Sequence, residues 1–171
     1  MRYVSDQRLV LLLLAIVWVE LAFLPFFSIG DIKPNFFFIF IAFYAFRINW
    51  KRVATLAFFV GLIQDVLTNS FFGLETASCV GGAWLLRFFA GRLDRDKRWI
   101  QFASLFAFSW ASLLLFAGIE FLIVGNHHFS EWILTKTFLI SVYTTLAGTA
   151  LFPLLEKLPR GIFQEKQYEL F

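Results

Sequence analysis

Cysteine occurs once, at position 79, in a chain of 171 residues. A lone thiol excludes an internal disulfide. Cys79 lies in an apolar stretch and reads as a buried, inert thiol. Charge is scarce as well: Asp, Glu, Lys and Arg make up 16% of the chain, against 60% hydrophobic residues and a mean hydropathy of +0.74. Soluble domains are more charged than this and do not string long apolar runs together. There is no Gly-x-Ser-x-Gly elbow, no His-Glu-x-x-His, no P-loop and no Cys-x-x-Cys, so the enzymes built on those motifs and an energy-coupling ATPase are excluded. The two histidines, His127 and His128, are adjacent. Adjacent residues do not share a helix face, so no metal site is expected, and no cofactor is called for.

What remains is apolar. Six segments stand out, at about 9–27, 36–46, 53–67, 76–89, 100–124 and 132–155. They are continuous and lack the apolar–polar alternation of an outer-membrane barrel. Helices satisfy their backbone groups internally, as lipid demands. The expectation is therefore an all-α integral membrane protein, a six-helix transmembrane bundle forming one domain over residues 1–171. The second, third and fourth segments are short for a bilayer that takes about 20 residues, and flanking residues such as Trp50 are expected to extend them. The first run follows Arg2 and Arg8 like a signal peptide, yet it is long and ends in Pro25, Phe26 and Phe27 rather than a cleavage site, so it reads as an uncleaved helix.

Basic residues give the orientation. Arg2 and Arg8 precede helix one; Arg47, Lys51 and Arg52 follow helix two; Arg87, Arg92, Arg95, Lys97 and Arg98 follow helix four; Lys157, Arg160 and Lys166 form the tail. These are thirteen of the fifteen Lys and Arg, while the alternate loops hold only Lys33. The split predicts cytoplasmic N- and C-termini. It also assigns the net charge of +3 to topology and anionic lipid rather than to nucleic acid. Trp50, Trp99 and Trp132 fall at segment ends, as interfacial anchors do.

Four charges lie inside the apolar segments: Glu20, Asp65, Glu120 and Lys136. Such charges are costly in lipid and have specific roles. Helices five and six turn near residue 128, which places Glu120 and Lys136 at similar depth and predicts an ion pair. Helices two and three turn near residue 50, which places Asn35 and Asp65 together at the outer end. Asn35 opens helix two, where free N–H groups favour an acceptor, and Pro34 suits a helix start. Asp65 is expected to brace that start. Gly61, one turn earlier on the same face, admits a neighbouring helix, and Gly73 suits a turn requiring positive φ or close packing. Gly81 and Gly82 are weaker signals of close packing. The stretch from Phe36 to Phe46 is aromatic on all sides, which suggests Phe36, Phe40 and Tyr44 as a docking face for a partner helix.

Lys33-Pro34-Asn35, then Gly61-Leu62-Ile63-Gln64-Asp65, then Gly73-Leu74 resemble the rod shape-determining protein MreD family. That family shows a basic-Pro-Asn, a Gly-x-x-x-Asp and a Gly eight residues after the Asp; all three occur here at that spacing. The resemblance implies a non-enzymatic scaffold of the bacterial cell-wall elongation complex in the cytoplasmic membrane. Its implied partners are MreC and, beyond it, the peptidoglycan synthase RodA, its penicillin-binding transpeptidase and the MreB filaments. It also implies a fold similar to the substrate-binding S components of ECF transporters. From that follows the alternative of a small-molecule-binding transport subunit.

Overall fold

Phe36–Ala45 offers no polar side chain except the Tyr44 phenol, and a helix that is apolar all round belongs inside something. In the computed structural model it is the central helix. The structure describes residues 6–23, 26, 28, 32–47, 49–68, 71–90, 97–124 and 131–157. These form α1 (Asp6–Phe23), α2 (Phe36–Ala45), α3 (Trp50–Thr68), α4 (Leu74–Ala90), α5 (Arg98–Val124) and α6 (Glu131–Lys157), with no strand among them. Pro25, Phe27, Arg2, Arg92, Arg95, His127, His128, Arg160 and Lys166 lie outside the described residues.

Consecutive helices from α3 to α6 pack side by side, and α2 packs against all five others. Every residue from Phe36 to Tyr44 is buried. Phe38 meets Phe108 of α5 edge-on at 5.3 Å, and Phe43 meets Phe152 of α6 at 5.6 Å. This corrects the expected docking face: Phe36, Phe40 and Tyr44 are 9%, 1% and 1% exposed. Aromatic residues on every side are what a fully enclosed helix requires, and here the bundle itself supplies the partners.

The outside of the bundle is apolar too. Leu14, Trp18 and Leu21 line one face of α1; Phe58, Phe59 and Val66 stand out from α3; Leu122, Leu146 and Leu154 stand out from α5 and α6. Among the described residues, two helices are long and apolar enough to cross a membrane, over Arg98–Ile123 and Ile133–Leu155. Helix α2 is far shorter. Its 10 residues rise only about 15 Å, half of a hydrocarbon core of about 30 Å. Trp50 extends the third segment, as the first residue of α3, and leaves α2 at 10 residues.

The start of α2 therefore lies deep in the bundle. The Asn35 N–H donates to Thr144 Oγ1 at 3.1 Å, and Thr144 is thirteen residues from either end of α6. Asn35 sits at mid-height, not at the outer end. Equal counting from residue 50 overlooked that α2 already ends at Ala45 whereas α3 begins at Trp50. Asp65, fifteen residues into α3, lies about 7 Å farther along the bundle.

Candidate functional site

A helix that begins inside a bundle exposes N–H groups with no intrahelical partner, and burial without acceptors is costly. Two helix starts here face that problem, and each is served by a carboxylate from the preceding helix.

Gly73 precedes α4 with φ +98°, and its carbonyl accepts from Ala77 N–H at 2.9 Å. Glycine takes this backbone conformation at little cost, but it has no side chain with which to cap. Asp65 of α3 fills the role from outside the helix. Its Oδ1 accepts from Glu75 N–H at 2.8 Å, and its Oδ2 accepts from Thr76 N–H at 3.3 Å and from Thr76 Oγ1 at 2.6 Å. Asp65 is 3% exposed, and its charge faces the positive end of the α4 dipole. Gly61 makes the approach possible. A Cβ there would collide with Thr76 Cα and stand 3.2 Å from the Glu75 carbonyl oxygen. The Gly-x-x-x-Asp spacing thus works as a clamp: Gly61 lets the first turn of α4 settle against α3, and Asp65 grips it one turn later. One turn deeper, Cys79 Sγ donates to Gln64 Oε1 at 3.2 Å, with both residues buried.

The α2 start is built differently. Asn35 is its own N-cap, with Oδ1 accepting from Phe38 N–H at 3.1 Å. The Phe36 N–H donates to Glu20 Oε2 of α1 at 3.1 Å. Pro34, which brings no N–H, is buried just before the cap. Three helices thus meet at this point, joined by Glu20, Asn35 and Thr144.

The expected brace is therefore reassigned. Asp65 holds α4, and Glu20 with Thr144 holds α2. Glu20 left one trace in the sequence, its charge inside an apolar segment, which did not show which helix it caps. Thr144 left none, since it is one of several threonines on α6. Glu120 is exposed on α5, within electrostatic reach of Glu75, and Lys136 is half-buried on α6. Their pairing stands as a proposal. Glu120→Gln and Lys136→Met are each expected to lower the yield of folded protein, and the double variant to recover it, since no lone charge then remains. Additive losses in a fluorescence size-exclusion assay would rule the pair out.

The clamp is a device for holding helices; among the described residues no three His, Cys, Asp or Glu side chains gather as metal ligands. No curated protein and no solved structure matches the chain. The family model described as rod shape-determining protein MreD matches residues 4–162. That span takes in all six helices and the three motif elements Pro34-Asn35, Gly61-x-x-x-Asp65 and Gly73, and on it the chain belongs to the rod shape-determining protein MreD family.

Proposed function

We propose that this chain is a multi-pass scaffold of the bacterial cytoplasmic membrane, non-enzymatic, which binds MreC and links the cell-wall elongation machinery to its surroundings. The family match over residues 4–162 carries this reading, since MreD is a family of membrane proteins engaged in rod shape determination. An apolar exterior around an apolar core supports the membrane setting. The basic split supports cytoplasmic termini. RodA, its penicillin-binding transpeptidase and MreB are the further members of the proposed assembly.

With α2 enclosed, an MreC helix would meet the outer apolar faces. The α1 face of Leu14, Trp18 and Leu21 suits it, because these large apolar side chains are exposed along one side of α1. The test is purification of the full chain from its host membrane, with identification of what accompanies it. MreC is the expected companion. A bound vitamin or an ATPase module in its place would favour a transport subunit and end the scaffold reading.

Topology is tested separately. Reporter fusions at positions 30, 72 and 127 are expected to score outside, and fusions at 50, 95 and 165 inside. One reversed middle loop would defeat the six-span arrangement.

A further inference from the structure

The end of the bundle that holds the α2–α3 turn also holds the last turn of α4. Two arginines at this end lie over aromatic rings. Arg47 donates from Nη1 to the Phe43 carbonyl at 3.0 Å, with its guanidinium carbon 3.7 Å from the Phe43 ring centroid, so it is committed to closing α2. Arg87 of α4 lies over Trp50, the first residue of α3, at 5.2 Å. Stacking of this kind orients a guanidinium while leaving its N–H donors available. Lys51, next to Trp50, is exposed, and so is Arg87.

Below these two cations the surface changes character in order. On α3, exposed Thr55 follows Lys51 by one turn, and exposed Phe58 and Phe59 follow by another. On α4, Trp84 is one turn from Arg87 and 60% exposed. Helices α3 and α4 pack on one another, and Arg87 reaches across to the ring of Trp50, the residue beside Lys51, which brings the two surfaces together at this end. From Lys51 to Phe58 the helix rises about 10 Å. Cations at the end, a hydroxyl below them and aromatic carbon below that follow the polarity of a single phospholipid from phosphate through glycerol to acyl chain.

We propose that the α3–α4 face at this end is a binding site for an anionic phospholipid. Lys51 and Arg87 hold the phosphate, and Trp84, Phe58 and Phe59 lie against the acyl chains. An acidic peptide would find the charges but would leave the aromatic ladder bare. A zwitterionic headgroup would bring its own cation toward Lys51 and Arg87. The site rests on the membrane reading above and adds a lipid preference to it.

The experiment is native mass spectrometry of the full chain, titrated in parallel with phosphatidylglycerol and phosphatidylcholine. Phosphatidylglycerol is expected to bind preferentially. Lys51→Gln with Arg87→Gln should weaken it roughly 30-fold, the scale of two juxtamembrane charges, while Lys51→Arg, which keeps the charge, should retain it. Lys33→Gln, a charge removed outside this face, should leave it unchanged. Thermal unfolding of each variant establishes that it is folded. Equal affinity for the two lipids, or full affinity in the double Gln variant, would overturn the site. Displacement by inorganic phosphate at matched concentration would also overturn it, by reducing it to an anion site with no acyl contribution. Failure of the membrane reading looks different: the chain would not integrate into vesicles of either lipid.

Discussion

Asp65→Ala is expected to lose roughly 3 kcal/mol of stability, about 1 kcal/mol or more for each of the three donors it leaves in a buried place without an acceptor. Those donors are Glu75 N–H, Thr76 N–H and Thr76 Oγ1–H. Loss of the negative charge at the α4 N-terminus acts in the same direction. Asp65→Asn is expected to cost less but to remain harmful, because its single oxygen serves only part of the set and its NH₂ group turns two more donors toward the remainder. Thermal unfolding of the detergent-solubilised chain measures both. An unchanged melting temperature for Asp65→Ala would mean that the clamp contributes nothing. Since both carboxylate oxygens are turned toward α4, any loss of MreC binding in this variant is expected to follow the loss of folded protein rather than precede it.

Gly61→Val is the second large effect. The new Cβ would fall on Thr76 Cα, and backbone atoms cannot rotate out of the way. Helices α3 and α4 must separate at this close approach, which also pulls Thr76 away from Asp65. Overpacking of this kind costs roughly 1–3 kcal/mol by itself, and the strained cap adds to it. The expected result is little or no monodisperse protein after solubilisation. Gly73→Ala gives the comparison. An added Cβ at Gly73 meets nothing within 4 Å, so its cost is confined to the positive φ, about 1 kcal/mol. Gly61→Ala combined with Asp65→Ala should lose less than the sum of the two single losses, since both act on the same first turn of α4. If Gly61→Val were as stable as Gly73→Ala, the close approach of the two helices would be disproved.

Particular residues show how far the sequence could be read. The apolar segments mark where six helices lie, because continuous runs separated by charge clusters leave few other arrangements. The motif glycines were readable as a close approach and a turn, because a missing side chain has few uses. The partner of Asp65 was not readable. Its assignment to helix two depended on equal rise along both arms of a hairpin, and the end of α2 at Ala45, well before α3 begins at Trp50, broke that equality. Glu20 was recognisable as a costly buried charge, but its acceptor role toward Phe36 becomes visible only when α1 and α2 are placed side by side. The Phe36–Tyr44 run was misread for a simple reason: a helix apolar on every side looks the same in sequence whether lipid, a partner or its own bundle surrounds it.

The shortness of α2 bears on how the chain is made. A segment of 10 apolar residues is too brief to hold a span by itself. One of the groups that fixes its start, Thr144, lies 109 residues farther along the chain. At synthesis rates of about 5–20 residues per second, the ribosome supplies that hydroxyl several seconds after Asn35 has emerged. Helix α2 must therefore wait, partly assembled, until α6 arrives to close around it. Helix α6 completes the first hairpin, and a nascent chain halted before α6 would hold the pieces of the bundle without its centre.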